Sequence, residues 1–238
     1  ARTVARHRHF RDYLLLKPDS SAYPDATIDA PLRRIIDDLH DRGWSEQDGF
    51  LSPALMHALE TECMASAKNG MLAMARVGLG ATSSLQPAVR GDRIQWLEAG
   101  QSEACSQFLA IIEALRTALN RELFLGLHDY EGHFAFYAPG MSYQPHLDRF
   151  RGDDSRTVTI TVYLNPAWLP EHGGALRLHP EGAATRDILP IGGRTVVFLS
   201  ADMLHEVLPA TRDRIAITGW FRRRAMRAPL AGARNHPA

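Results

Sequence analysis

The chain has 238 residues, and 27 Lys and Arg balance 27 Asp and Glu to a formal net charge of +0. That balance argues against a dedicated nucleic-acid binder, and two cysteines are too few for a disulfide framework. No apolar run approaches the ~20 residues of a membrane span and no signal-peptide core opens the sequence, so the chain reads as a cytoplasmic globular protein with no membrane role.

Residues 1 to about 29 read as an Arg- and His-rich N-terminal extension, with an apolar patch, Tyr13-Leu14-Leu15-Leu16, able to dock on the main body. From Pro31, the spacing of Leu32, Ile35, Ile36 and Leu39 predicts a helix that Gly43 stops. Trp44 to Leu51 reads as a short strand leading into a turn. Ser52-Pro53 then predicts a capped helix whose buried side is Leu55, Leu59, Cys63 and Met64, closed by Gly70. Residues 71 to 89 are rich in Gly, Ser, Thr and Ala and lack periodicity, which predicts a long loop of the kind that serves as a lid. Arg90 to Leu97 alternates polar and apolar residues as a strand does. Ser102 is placed to cap a helix through about Leu123, with Phe108, Ile111, Ile112, Leu115 and Leu119 inward. Cys63 and Cys105 both fall in these helices and read as buried thiols of a reducing compartment.

After Gly126 the character switches to short β-like runs. They are Phe134 to Tyr137, Thr157 to Leu164, Ala175 to Leu178, Arg194 to Leu199 and Ile215 to Phe221. Helices first and strands afterwards predict an α+β chain. Its core is a double-stranded β-helix of the jelly-roll or cupin kind, with helices of the N-terminal half packed on it. The expected layout is an extension (1–29), a single domain (30–224) and a basic C-terminal tail (225–238), acting as a monomer.

One stretch of this β-rich half carries chemistry. His146 and Asp148 are two residues apart, so on an extended segment their side chains leave the same face. With His205 they offer two imidazoles and one carboxylate, a set that suits Fe(II) and leaves coordination positions open. Arg214 follows His205 on an apolar strand-like run, where a guanidinium can grip a carboxylate with two parallel bonds.

In these residues the chain resembles the Fe(II)/2-oxoglutarate-dependent oxygenases, and within them the prolyl hydroxylases of the hypoxia-inducible-factor type and their bacterial relatives. The resemblance runs from about Leu32 to Arg223. It rests also on Arg90-Gly91-Asp92-Arg93-Ile94-Gln95-Trp96, Tyr163-Leu164-Asn165-Pro166-Ala167-Trp168, Gly173-Gly174-Ala175-Leu176-Arg177-Leu178 and His205-Glu206-Val207-Leu208-Pro209. It implies His146, Asp148 and His205 as iron ligands. It implies Arg214 and Tyr163 on the distal carboxylate of 2-oxoglutarate, with Thr218, Leu176 and Val207 around it. Tyr143 and Trp220 would flank the target proline. Asp92 and Arg156 would pair to tie the segment Arg90-Gly91-Asp92 to the loop after the iron-binding strand, and residues 71 to 89 would close over a peptide. The family's tyrosine directly before Pro-Gly is replaced by Ala138, so that either Tyr137 serves in its place or the contact is lost.

The activity so implied is O2-dependent hydroxylation of a prolyl residue in a protein substrate, with 2-oxoglutarate converted to succinate and CO2 and ascorbate as the reductant. Elongation factor Tu is the candidate substrate for a bacterial member. The alternatives are a hydroxylase of free proline or another amino acid, and a binding module without turnover. Nucleic-acid demethylation is disfavoured by the balanced charge.

Overall fold

A computed structural model of the chain describes residues 30–78, 83–149 and 155–224. The expected extension, its Tyr13 patch and the C-terminal tail lie outside the described residues. Helix α1 (Ala30–Arg42) buries Ile35, Ile36 and Leu39 and ends at Gly43, whose φ of 79° favours a residue without a Cβ. Strand β1 (Trp44–Gln47) leads to α2 (Pro53–Lys68), where the Ser52 hydroxyl accepts from the Leu55 amide at 3.2 Å. The buried side of α2 is Leu55, Leu59, Cys63 and Ser66; Met64, expected inward, is 39% exposed. The line from 55 through 59 to 63 drifts toward 66, and position 64 turns out of it.

Helix α3 (Glu103–Leu123) starts as expected, with the Ser102 hydroxyl accepting from the Cys105 amide at 3.0 Å, and stops at Phe124, a left-handed residue with φ 53°. Glu62 of α2 accepts from the Ser102 hydroxyl at 2.6 Å and the Gln101 amide at 2.9 Å, which locks the two helices together. Between α2 and α3 the expected lid is not wholly irregular. Strand β2 (Ala73–Met74) pairs with β3 (Arg93–Trp96), and Val77 bridges Ser84.

The remaining strands are β4 (Leu127–Tyr137), β5 (Tyr143–His146), β6 (Arg156–Tyr163), β7 (Leu176–His179), β8 (Arg186–Ile188), β9 (Thr195–Leu199), β10 (Leu204–Val207) and β11 (Arg214–Arg223). They form a seven-stranded antiparallel sheet, β1-β9-β6-β11-β4-β3-β2, and a four-stranded one, β5-β10-β7-β8. The two sheets form the double-stranded β-helix expected from the order of elements.

Period-two alternation gives the large sheet two different faces. Phe134, Phe136, Val158, Ile160, Val162, Val197, Leu199, Ile215, Ile217 and Phe221 pack with the apolar sides of α1, α2 and α3. Each such side chain contributes about 1.5–3 kcal/mol on full burial. The alternate residues Ala135, Tyr137, Tyr163, Val196, Phe198 and Ala216 face the small sheet and pack with Leu176, Leu178 and Val207. The same parity carries Thr159, Thr161, Thr218 and Trp220 into the space between the sheets, where the candidate site lies.

Candidate active site

His146 ends β5 and His205 lies on β10, and the antiparallel register sets them directly opposite. Asp148 is two residues beyond β5. One oxygen of its carboxylate is 3.6 Å from Nε2 of His146 and the other 3.6 Å from Nε2 of His205. The three residues form the group of potential metal ligands among the described residues, with their ligand atoms within 4.8 Å of one another.

Each member is oriented by a further bond. Nδ1 of His146 lies 2.7 Å from the Gln144 carbonyl, and Nδ1 of His205 lies 3.0 Å from the Met203 carbonyl. A carbonyl only accepts, so both Nδ1 atoms donate and both Nε2 atoms turn a lone pair toward the centre. The Thr159 hydroxyl donates to Asp148 at 2.8 Å and is itself 2.9 Å from the Ser200 hydroxyl. Burial alone would raise the Asp148 carboxyl, but the imidazoles of His205 and His146 hold it well below the usual carboxylate range. Burial lowers His205 to about 4, with Asp148 opposing. The set is thus one carboxylate and two imidazoles whose Nε2 atoms converge, which fits a divalent iron and leaves positions for other ligands.

Arg214 stands in the same cavity. It is 2% exposed, and its Nε donates to the Gly174 carbonyl at 2.8 Å. Its guanidinium lies over the rings of Tyr137 and Tyr163, 5.2 and 5.1 Å from their centroids. Among the described residues no carboxylate pairs with it, and the buried Tyr163 hydroxyl also lacks a partner. A buried cation beside a free hydroxyl is costly unless an anion joins them, and a dicarboxylate cosubstrate supplies one. Two motifs quoted from the sequence build this end. Gly174 has φ 70°, and a Cβ there would meet Ala210 Cβ at 2.9 Å and Arg214 Cδ at 3.4 Å. Asn165 accepts from the Ile215 amide at 2.7 Å and so fixes the start of β11 beside Arg214.

Tyr137, Leu176, Val207 and Thr218 line the cavity with Arg214, and the Thr218 hydroxyl is 3.3 Å from that of Thr161. The question raised by Ala138 is one of strand parity. Tyr137 faces the cavity, whereas Ala138 packs on the helical side of the sheet, so position 137 is the one aimed inward.

At the mouth, Tyr143 stacks on His146 with ring centroids 3.6 Å apart, and the Arg90 guanidinium lies 5.0 Å from the Tyr143 ring centroid. Trp220 lines the cavity too. Arg156 and Trp96 instead line a broader groove beside it, together with Met71, Met74 and Arg76. The expected pairing of Asp92 with Arg156 gives way to two other pairs. Arg90 holds Asp92 bidentately at 2.7 and 2.9 Å. Arg156 bonds Glu131 at 2.9 Å and lies 3.5 Å over the Trp220 ring. Asp92 is completely buried, and the planar fork of Arg90 satisfies both of its oxygens there. His133, Thr159, Thr161 and Ser200 belong to the site region but carried no sequence signal, since a lone histidine or threonine on a strand matches no pattern.

Comparison with known proteins agrees with this geometry. The sequence profile of the 2OG-Fe(II) oxygenase superfamily matches residues 132–222, the stretch holding the triad and Arg214. Human prolyl hydroxylase EGLN3 is 31% identical over 203 residues, covering 80% of this chain and 82% of its own. A Pseudomonas putida prolyl-4-hydroxylase structure has a TM-score of 0.73 at 48% identity, covering 81% of this chain and 99% of that one. The prolyl hydroxylase of Trichoplax adhaerens, solved with a hypoxia inducible factor peptide fragment, has a TM-score of 0.74 at 26% identity and covers 81% and 89%.

Proposed function

Because the chain belongs to the 2OG-Fe(II) oxygenase superfamily, among its EGLN-type prolyl hydroxylases, we propose that His146, Asp148 and His205 hold its Fe(II) and that Arg214 holds 2-oxoglutarate. The enzyme hydroxylates prolyl residues of a protein substrate and depends on Fe(II) and 2-oxoglutarate. The observation that carries the assignment is the sharing of one cavity by three converging ligand atoms and a buried guanidinium that lacks a counter-ion among the described residues.

When bound, the iron and 2-oxoglutarate supply the oxidation of the proline C–H bond, with release of succinate and CO2. The protein's share is placement. The carbonyls of Gln144 and Met203 keep each imidazole in the tautomer that presents Nε2, and Thr159 holds one oxygen of Asp148. Arg214 offers its fork to the distal carboxylate, and the Tyr163 hydroxyl donates to the same group. Tyr137, Leu176, Val207 and Thr218 shape the walls and exclude water. Tyr143 and Trp220 flank the prolyl ring, and Arg90, Asp92, Trp96 and Arg156 frame the approach along the groove.

A protein substrate is favoured over free proline by that groove, which extends well beyond what one amino acid would fill. Elongation factor Tu is the substrate we would try first, with ascorbate as reductant. The test compares cellular proteins from cells with and without the enzyme by mass spectrometry, scanning prolines for the gain of one oxygen. Purified enzyme with Fe(II), ascorbate and 2-oxoglutarate should then release succinate with a peptide so identified. Equal turnover of free proline would overturn the protein-substrate reading.

A further inference from the structure

His133 is the buried titratable group at the site that these roles leave unused. It lies on β4, opposite Trp96 of β3 and Thr218 of β11, and is 1% exposed. Its ring sits 5.2 Å from the Trp96 ring and 5.6 Å from the Trp220 ring. Nδ1 is 3.1 Å from the Phe134 carbonyl, so Nδ1 carries the proton and Nε2 holds a bare lone pair. Burial, reinforced by Arg90, lowers the group to about 4, and the ring is neutral near pH 7. Nε2 has no partner among the described residues. A buried acceptor left in that state is destabilising, and a ligand carrying a donor would offset that cost.

Its location limits what that ligand is. Arg90, His133 and Trp220 line both the cavity and the broader groove, so His133 stands where one opens into the other. Ionised 2-oxoglutarate has only acceptor oxygens and cannot satisfy Nε2. A prolyl peptide can, but not through the proline, whose nitrogen bears no hydrogen. With the ring inside the cavity and the chain continuing along the groove, the first amide N–H after the ring belongs to the next residue. The N–H of the preceding residue is three bonds from the ring nitrogen, whereas that of the following residue is two bonds from the ring Cα and so lies closer to the wall at the cavity mouth.

We propose that Nε2 of His133 accepts a hydrogen bond from the backbone N–H of the residue following the target proline, so that the enzyme rejects substrates in which that residue is proline or otherwise N-substituted. This rests on the prolyl hydroxylase reading and adds a specificity-determining residue to it.

The probe is a peptide recovered as hydroxylated in the mass-spectrometric comparison, paired with a copy N-methylated at the residue after the proline. Succinate release with the parent peptide tests the prolyl hydroxylase reading separately. With the wild-type enzyme, N-methylation should raise KM about tenfold with little change in kcat, the size of one lost hydrogen bond to a buried acceptor. The His133→Phe variant should show the same rise with the parent peptide and no further rise with the methylated one, and His133→Gln, which restores an acceptor, should recover part of the loss. Losses that add independently, or a wild-type enzyme indifferent to N-methylation, would overturn the proposal.

Discussion

His146 and His205 face each other as a directly opposed pair across the β5–β10 ladder, with ring centroids 4.2 Å apart. The register of two short strands thus sets the spacing of the two imidazoles, and only Asp148 depends on the turn that follows. This explains why the third position is braced from the other sheet, by Thr159 of β6.

That brace is testable. Thr159→Val keeps the shape but removes the donor to Asp148. Metal affinity, read by calorimetric titration with Fe(II) under anaerobic conditions or with Mn(II), should fall about 10–100-fold, the usual cost of losing an outer hydrogen bond to a ligand. Unchanged affinity would mean that the carboxylate is held by other contacts.

Arg214→Lys keeps the charge and loses the fork. KM for 2-oxoglutarate should rise by about 10–100-fold, as expected for a lost charge-assisted bond of about 1.5–3 kcal/mol, while KM for the peptide moves little. Steady-state kinetics with each reactant varied in turn separates the two. A change in peptide KM alone would place Arg214 on the wrong ligand.

His133 also makes a pH prediction. Its value falls from 6.5 to about 4 on folding, so the unfolded chain binds the proton more readily between those values. Its contribution to stability is therefore fully present above pH 6.5 and is lost as pH falls toward 4. Urea unfolding at pH 7 and pH 5 should show a smaller acid loss for His133→Phe than for the wild type. An identical loss in both would assign the acid sensitivity elsewhere.

Gly132 and Gly219 lie opposite each other on β4 and β11, and the Tyr130 ring occupies the space a side chain would need. A Cβ at Gly219 would also meet the Glu131 carbonyl at 2.6 Å, which cannot swing aside as a flexible side chain does. Gly219→Ala should destabilise the fold by about 1–3 kcal/mol in thermal unfolding. An unaltered Tm would show that the strands separate without strain.

Much of this was legible in the sequence because the signals are local. Ser52 and Ser102 announce helix starts, and Gly43 a helix end, by chemistry within three residues. The His-x-Asp spacing survives because any extended segment keeps alternate side chains on one side. The same alternation turns Tyr137 toward the cavity and Ala138 toward the helices. Partner choice at a distance was not legible. Which arginine takes Asp92 depends on the position of three segments in space, and nothing in their order separates Arg90 from Arg156. Met64 was misplaced because the helix line drifts by a fraction of a turn that spacing alone does not show.

Residues 89–91 are stitched to the outer edge of β5. Gly91 donates to Ser142 at 3.0 Å, Gln144 donates to Val89 at 2.9 Å, and a side chain at Gly91 would press on Met141 at 3.1 Å. Residues 89–91 are therefore a second neighbour of the histidine strand, on the edge that β10 leaves open, rather than a free tether. Because Arg90 also lines the groove, a load on that wall is carried through backbone bonds to the ribbon that ends in His146.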